Sequence, residues 1–213
     1  MSLRTRIKIC GITREQDAIA SVSSGTDSIG FIQWPKSQRY IPPASAAKIA
    51  RSLPPLVTFV AVFVNPSREE VTGLLDALPD ATLQFHGEED AEFCASFGRP
   101  WIKAAGARPG RDLLEYFSAF HGASAWLVDE YHATLYGGTG RRFDWNLVPR
   151  NPARPLILSG GLDAGNVGEA IAVVRPYAVD VSSGVEVAKG IKDAALIQAF
   201  ISEVKSANQR FSG

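Results

Sequence analysis

Short apolar runs rich in β-branched residues alternate with amphipathic segments along the whole chain, and this alternation restricts the fold more than any other feature of the sequence. Eight of the runs have the length and composition of buried strands. They cover residues 7–10, 28–32, 58–64, 82–85, 101–105, 125–129, 156–159 and 178–181. Near-continuous apolar runs are typical of parallel strands that are buried on both faces.

The segments between and after these runs have the periodicity of helices. They cover residues 15–23, 44–52, 68–78, 89–97, 111–120, 164–174 and 193–205. In 68–78 the apolar residues recur at steps of three and four, which places them on one helix face. Ser67 and Thr13 stand just before acidic first turns and are predicted to begin two of the helices. Residues 143–148 are predicted to form one short helical turn in an otherwise irregular connection.

Strict alternation of strand and helix predicts parallel strands joined by right-handed crossovers. Eight such units in 213 residues are at the short end for a closed barrel, so we predict an α/β fold, a single (β/α)8 (TIM) barrel with eight parallel strands. The main rival, an open doubly wound sheet, usually has a Gly-x-Gly-x-x-Gly turn after its first strand, where this chain has Cys10-Gly11-Ile12-Thr13. Because no linker or shift in composition interrupts the chain, residues 1–213 are predicted to form one catalytic domain.

Charge and cysteine content restrict the partners of the chain. Lys+Arg and Asp+Glu both number 22, so a basic face for nucleic acid is not predicted. Cys10 and Cys94 lie far apart and show neither a disulfide framework nor a zinc-ligand spacing. No signal peptide and no apolar run of about 18 residues is found. We therefore expect a soluble cytoplasmic protein that needs no metal, membrane or nucleic acid.

The active site of such a barrel is expected at the carboxyl ends of the strands. Cys10 ends the first strand, where it suits either a small buried apolar side chain or a reactive thiol at the barrel mouth. Asp129 ends the sixth strand and suits either a loop or cap residue or a positioned acid. Burial there would raise the pKa of Asp129 and keep part of it protonated near neutral pH, as a general acid requires.

Two glycine- and serine-rich turns follow the last two strands. Ser159-Gly160-Gly161-Leu162 follows the seventh, and Ser182-Ser183-Gly184-Val185-Glu186 follows the eighth. Barrels commonly bind phosphate with these two loops, because glycine lets backbone N–H groups approach the anion closely. One such turn would be ordinary chain reversal, whereas the pair of them favours a phosphate site.

Other loops carry side chains with two interpretations each. Lys36 and Arg39, after the second strand, are either solvated charges or partners for an anionic part of a substrate, and arginine suits a planar carboxylate. His86, after the fourth strand, either orients a substrate or turns the chain. The string Tyr136-Gly137-Gly138-Thr139-Gly140 suits a flexible lid and lacks the Gly-Lys-Ser/Thr ending of a phosphate-binding P-loop.

Taken together, these strings resemble the phosphoribosylanthranilate isomerase family of tryptophan biosynthesis. The resemblance covers nearly the whole chain in family order, and its first and last strings are highly specific. The matching strings are Lys8-Ile9-Cys10-Gly11-Ile12-Thr13, Pro35-Lys36-Ser37-x-Arg39-Tyr40, Gln84-x-His86-Gly87-Glu88, Tyr136-Gly137-Gly138-Thr139-Gly140, Leu158-Ser159-Gly160-Gly161-Leu162 and Val179-Asp180-Val181-Ser182-Ser183-Gly184-Val185-Glu186.

The resemblance implies an Amadori rearrangement of N-(5'-phosphoribosyl)anthranilate to the corresponding 1-deoxyribulose aminoketose, without metal or cofactor. It implies that Cys10 is the general base, that Asp129 is the general acid and that Arg39 orients the substrate. From its position after the fourth strand, His86 is also predicted to bind substrate. The residues implied to hold phosphate are Gly160, Gly161, Ser182, Ser183 and Gly184. A lysine that reaches the mouth, such as Lys8, would raise the thiolate fraction of the base. The expected partner is a small phosphorylated substrate, and the chain is expected to be a monomer or a homodimer.

The chain departs from the family pattern at two places. Gln33-Trp34 predicts a more polar wall for the anthranilate pocket, and Glu130-Tyr131 after Asp129 adds a second carboxylate that either raises the pKa of the acid or faces solvent. Both departures concern the range of substrates that the protein accepts, not the type of reaction.

Two alternatives stay open. One is another phosphate-binding barrel, such as an isomerase of a histidine-pathway aminoaldose or an indole-forming synthase. The synthase requires a lysine-rich mouth, and a two-phosphate substrate requires a second clear phosphate site. The other alternative is a catalytically silent barrel, which is expected to lack the acid or the base.

Overall fold

The computed structural model describes residues 4–130 and 143–210, and eight parallel strands within them close into a barrel. The strands β1–β8 are Arg6–Cys10, Ser28–Ile32, Thr58–Phe63, Thr82–Phe85, Trp101–Ala107, Ala125–Glu130, Leu156–Leu158 and Ala178–Val181. Each strand pairs with the next one along the chain, and β1 closes the barrel against β8 with Arg6 opposite Ala178 and Ile9 opposite Val181. The predicted (β/α)8 barrel is confirmed, and the open-sheet alternative is excluded.

Seven α-helices lie in the described ranges. Helices α1–α7 are Glu15–Ser24, Pro43–Arg51, Arg68–Ala77, Ala91–Ala95, Leu113–Ser118, Val167–Val174 and Ala194–Arg210. The short turn predicted within 143–148 is present as a 3-10 helix at Trp145–Leu147. A second 3-10 turn at Ser183–Val185 leads into a small antiparallel hairpin of β9 (Glu186–Ala188) and β10 (Ile191–Lys192), which the sequence did not predict. None of the described helices is long and apolar enough to cross a bilayer.

The two predicted helix starts have different outcomes. Ser67 forms a capping box with Glu70, in which the Ser67 Oγ accepts from the Glu70 amide at 3.2 Å and the Glu70 carboxylate accepts from the Ser67 amide at 2.7 Å. Thr13 does not cap α1, so this prediction is wrong. Its hydroxyl instead donates to the Gly190 carbonyl at 2.5 Å, which ties the β9–β10 hairpin to the loop after β1.

The two-residue period of the strands decides which side chains reach the inside of the barrel. In β1, Ile7 and Ile9 pack outward against the helices, whereas Cys10 belongs to the separate apolar cluster that fills the barrel. By the same alternation Lys8 shares the inner face with Cys10. Asp129 and Asp180 each stand two residues after an inner apolar residue of their strands, Leu127 and Ala178 respectively. Thus several polar groups converge above the apolar interior.

Candidate active site

A cavity of about 230 Å³ lies at the carboxyl ends of the strands, as predicted for this fold. Its lining includes Cys10 from β1, Asp129 from β6, Arg39 from the loop after β2 and His86 from the loop after β4. The structure therefore brings four separately predicted site residues into one opening. Both the thiol and the carboxyl face this common space, although they lie 119 positions apart in sequence.

The Cys10 thiol lies against a glycine and a buried lysine. A Cβ added to Gly30 on the neighbouring strand β2 would stand 2.8 Å from the Cys10 sulfur, so only glycine leaves room for the thiol here. Lys8 lies beneath Cys10 on the same face of β1 and is 3% exposed. Its ammonium group donates to Asp180 Oδ1 at 2.9 Å, which compensates its buried charge.

Burial and neighbouring charges act in opposite directions on the Cys10 thiol. Burial raises the pKa of Cys10, and the positive charges of Lys8 and Lys192 lower it, with Asp180 adding to the rise. The net effect is a pKa above the ordinary value of a cysteine. Lys8 therefore acts in the expected direction and favours the thiolate, but the effect of burial on the pKa of Cys10 is larger.

Asp129 is buried, and its carboxyl is held in one orientation. Burial, together with the nearby charges of Asp180 and Glu130, raises the pKa of Asp129 to about 7, although a hydrogen bond from the Glu130 amide to Oδ1 at 2.7 Å acts against the rise. A carboxyl with such a pKa keeps a proton in a substantial fraction of molecules at neutral pH. The prediction that burial raises the pKa of Asp129 is confirmed, and the second carboxylate at Glu130 contributes to it in the expected direction.

His86 lies beside this acid. Its Nε2 is 3.5 Å from Asp129 Oδ2, and its Nδ1 is 3.4 Å from Gln84 Nε2. Burial, together with the positive charges of Lys8 and Lys103, lowers the pKa of His86 to about 4, so the imidazole is neutral at physiological pH. The contact with Asp129 is thus one between a neutral ring and a carboxyl, not a salt bridge.

A second, smaller pocket of about 20 Å³ adjoins the first at the two glycine- and serine-rich turns. Asp129, Ser159, Asp180 and Ser182 line both spaces. The smaller pocket is also lined by three further members of the predicted phosphate set, Gly160, Gly161 and Ser183, whereas the fifth member, Gly184, is not part of its lining.

The backbone of these turns explains their composition. Gly160 and Gly161 have φ values of 85° and 62°, which other residues rarely adopt. A Cβ on Gly184 would stand 2.0 Å from the Leu162 carbonyl oxygen, so the two turns pack directly against each other there. Within the described part of the chain, the amides of Gly161, Ser183 and Gly184 make no hydrogen bond. Amide donors of this kind at a small polar pocket are suited to binding an anion.

Arg39 is buried rather than solvated. Its Nε and Nη2 donate to the two oxygens of Glu186 at 2.8 and 2.7 Å, in a bidentate ion pair that lies beside the cavity. Lys36 also lines the cavity but is exposed.

Apolar side chains form another part of the cavity lining. Ile32, Trp34, Val62 and Val64 form it. Gln33 lies outside this cavity, and its side-chain amide donates to the Ile41 carbonyl at 3.1 Å. The polar wall expected from Gln33 is therefore not formed, because the strand period turns Gln33 away and Trp34 toward the opening.

Sequence reasoning missed the charged groups beneath and beside the site. Asp180 pairs with Lys8, and its other oxygen accepts from Ser159 Oγ at 3.4 Å. A carboxylate inside an apolar strand run was the available signal for Asp180. Lys192 and Glu186 gave no such signal, because their contacts depend on the hairpin. The predicted lid Tyr136-Gly137-Gly138-Thr139-Gly140 and the residue after Glu130, Tyr131, lie outside the described residues.

Comparison with known proteins identifies a family with this arrangement. The family model for N-(5'-phosphoribosyl)anthranilate (PRA) isomerase matches residues 7–203. The N-(5'-phosphoribosyl)anthranilate isomerase of Dechloromonas aromatica is 50% identical over 207 residues, which are 97% of this chain and 99% of that protein. The crystal structure of the phosphoribosyl anthranilate isomerase from Thermotoga maritima superposes with a TM-score of 0.87 and 42% identity, over 95% of this chain and 99% of that one.

A further solved structure carries a ligand. It is a phosphoribosyl anthranilate isomerase in complex with reduced 1-(o-carboxyphenylamino)-1-deoxyribulose 5-phosphate, with a TM-score of 0.84 and 42% identity over 95% of this chain and 99% of that chain. The ligand of that relative has a phosphate at one end and an aromatic carboxylate at the other. Both of these groups of that ligand are anionic.

Proposed function

This chain belongs to the N-(5'-phosphoribosyl)anthranilate isomerase family and is an isomerase of tryptophan biosynthesis, and we propose that Cys10 and Asp129 catalyse its reaction as general base and general acid. One observation carries this assignment: the buried thiol and the buried carboxyl line the same cavity, next to a pocket rich in amide donors. The reaction moves protons between carbon, oxygen and nitrogen atoms of one substrate, so a positioned acid and a positioned base are what it needs.

Asp129 performs the first step. Its proton passes to the furanose ring oxygen, the bond from that oxygen to C1' breaks, and the nitrogen lone pair forms a C1'=N iminium. The pKa of about 7 suits this role, because the carboxyl holds a proton near neutral pH and gives it up readily. His86 is neutral beside it and therefore does not hold the carboxyl in its ionised form.

Cys10 performs the second step. The iminium acidifies C2', and the thiolate removes the proton from that carbon, so that the C–H electrons form a C1'=C2' double bond and the iminium electrons return to nitrogen. The resulting enolamine tautomerises to the ketone by losing the enol proton and gaining a proton at C1'. The positive iminium adds to the charges of Lys8 and Lys192 around the sulfur, so the thiolate is favoured at the step that requires it.

The two ends of the substrate are held by different parts of the cavity. The amides of the turns at 160–161 and 182–184 bind the phosphate, and Arg39 binds the anthranilate carboxylate. Trp34 and Ile32 offer an apolar wall for the anthranilate ring. Binding at both ends places C1' and C2' between the acid and the base, which is the main advantage a non-reacting phosphate provides.

The alternatives from the sequence are less well supported. A silent barrel is expected to lack the acid or the base, and here both line the cavity. An isomerase of a two-phosphate substrate is not the family that the chain matches, because the matched family acts on N-(5'-phosphoribosyl)anthranilate, which carries one phosphate. The choice between monomer and homodimer, the cytoplasmic location and the extent of the single domain stay predictions of the sequence.

Turnover of freshly prepared N-(5'-phosphoribosyl)anthranilate by the purified protein tests the proposed function. Loss of anthranilate fluorescence reports the reaction. We expect turnover without added metal or cofactor, and inhibition by reduced 1-(o-carboxyphenylamino)-1-deoxyribulose 5-phosphate. Tight binding of this inhibitor with no turnover of the substrate would favour the silent barrel and contradict the proposal.

A further inference from the structure

Glu186 is a buried carboxylate beside the cavity whose hydrogen-bonding capacity is filled by the protein. Only 4% of its side chain is exposed. Its Oε1 accepts from Arg39 Nε at 2.8 Å, from Lys192 Nζ at 2.7 Å and from the Gly190 amide at 3.2 Å, and its Oε2 accepts from Arg39 Nη2 at 2.7 Å. A carboxylate with four donors has little capacity left for a ligand. Any role of Glu186 is therefore exerted through the residues it holds.

The first of these residues is Arg39. Its Nε and Nη2 are bound to Glu186, whereas Nη1 makes no hydrogen bond to the residues that the structure describes. Gly11, with a φ of 76°, allows this close approach, because a Cβ there would stand 2.7 Å from Arg39 Cδ. A bidentate pair fixes the plane of a guanidinium group, so the remaining N–H groups of Arg39 have a defined direction.

The second is Lys192. Its side chain is completely buried, and its ammonium group donates to Glu186, to the Ser182 carbonyl at 3.0 Å and to the Ser182 hydroxyl at 3.3 Å. These bonds use all three donors of the ammonium group. Because Ser182 lines both the cavity and the small pocket, a single carboxylate links Arg39 to the turn proposed to bind phosphate.

We propose that Glu186 is a positioning residue that fixes the spacing between the binding site for the substrate carboxylate and the binding site for its phosphate. This inference rests on the proposed function, to which both binding sites belong. The charges support it: two buried cations share one anion, and without that anion Arg39 and Lys192 would repel each other. Glu186 thus keeps Arg39 in place while leaving one positive charge to attract a carboxylate.

The test compares two ligands that differ only in the carboxylate. They are reduced 1-(o-carboxyphenylamino)-1-deoxyribulose 5-phosphate and the same compound with an unsubstituted phenyl ring, and their dissociation constants are measured by calorimetry. In Glu186→Gln, we expect the preference for the carboxylated ligand to fall by about tenfold or more, the effect of a lost charge-assisted hydrogen bond. KM for the substrate should rise by a similar factor, with a smaller change in kcat.

A matched control is Glu203→Gln on α7, where the carboxylate is 47% exposed and pairs with Arg210 only at 3.9 Å. It should leave both dissociation constants and KM unchanged. Should Glu186→Gln fail to fold, Glu186→Asp serves instead. It keeps the charge but is one methylene shorter, so it cannot span Arg39 and Lys192 together, and the same loss of preference is expected.

Two results would overturn the inference. One is an unchanged preference for the carboxylated ligand in a folded Glu186 variant. The other is an equal loss of affinity for both ligands, which would indicate that Glu186 only stabilises the hairpin. The two proposals can fail separately: an inactive wild-type protein contradicts the proposed function, whereas an active wild-type protein whose ligand preference survives Glu186→Gln contradicts this inference alone.

Discussion

The Oδ2 atom of Asp129 lies 3.5 Å from Nε2 of His86, and burial moves the pKa values of the two groups in opposite directions, to about 7 and about 4. The shared proton therefore belongs to the carboxyl and not to the ring near neutral pH. An imidazolium at this position would stabilise the carboxylate and remove the acid. The arrangement is thus that of an acid that holds a proton beside a neutral imidazole ring.

The neutral state of His86 can be measured directly. We expect the NMR signal of its 13C-labelled ring, assigned through His86→Asn, to keep the chemical shift range of a neutral imidazole between about pH 5.5 and 8, because burial opposes the charged form. In the urea-unfolded protein the same ring should titrate near the ordinary value of about 6.5. A titration midpoint at or above pH 6.5 for His86 in the folded protein would contradict a neutral ring beside Asp129.

Asp129→Asn should stabilise the protein at alkaline pH. Below about pH 4 the carboxyl is protonated in both the folded and the unfolded protein. There it does not contribute to the pH dependence of the free energy of unfolding. As the pH rises from about 4 to about 7, the unfolded chain loses this proton and the folded one keeps it, so the wild type loses stability. Asparagine has no such cost and can still accept from the Glu130 amide.

Urea unfolding at pH 3.5 and pH 8 checks this prediction. The free energy of unfolding of Asp129→Asn relative to wild type should be higher at pH 8 than at pH 3.5 by roughly 1–4 kcal/mol. Asp80→Asn is the control, since that side chain is 93% exposed, and its effect should stay within about 0.5 kcal/mol at both pH values. The same difference for Asp129→Asn at both pH values would contradict a raised pKa.

The dependence of kcat/KM on pH should have three parts. The active form needs a protonated Asp129 and an ionised Cys10, and the pKa of the thiol is raised above its ordinary value whereas that of the carboxyl is about 7. The population of this form rises up to about pH 7, stays constant between the two pKa values, and falls above the pKa of the thiol.

The residual activity of Asp129→Asn shows which titrating groups cause the pH dependence of kcat/KM. Without the carboxyl, the break near pH 7 should disappear, and the rate should keep rising toward the pKa of the thiol. A break near pH 7 that persists in this variant would assign it to another group, such as the substrate phosphate.

Much of the fold could be predicted from the sequence, because buried parallel strands have a local signature. The residues at the strand ends followed from the same pattern, and Cys10, Asp129 and the two turns lie where the pattern placed them. The direction in which the pKa of Cys10 shifts could not be predicted in this way. Whether Lys8 or burial dominates its pKa depends on the barrel interior, which no local pattern describes. The partner of Arg39 was missed for a related reason: Glu186 is 147 residues away and reaches it through an unpredicted hairpin.

The contact between the two proposed phosphate turns can be tested by adding a methyl group. Gly184→Ala should raise KM for the substrate and lower stability by about 1–3 kcal/mol, because its Cβ would stand 2.0 Å from the Leu162 carbonyl and push the turns apart. Gly73→Ala is the matched control within α3, where no atom lies within 4 Å of the added Cβ.

The control substitution should stabilise the protein by about 0.5–1 kcal/mol, the ordinary gain for alanine over glycine in a helix, with KM unchanged. Urea unfolding and steady-state kinetics separate the two effects. A Gly184→Ala protein that loses stability but keeps the wild-type KM would show that this turn does not position the phosphate.

The most direct test of the central claim is kcat for Cys10→Ala and Asp129→Asn, measured alongside their affinity for reduced 1-(o-carboxyphenylamino)-1-deoxyribulose 5-phosphate. Cys94→Ala, which removes the buried thiol on α4 that does not line the cavity, is the control and should keep kcat near that of wild type. We expect each site variant to lose on the order of 10²–10⁴ in kcat and still to bind the ligand about as well as the wild type does. Near-wild-type kcat in either variant would contradict the assignment of that residue as the base or the acid.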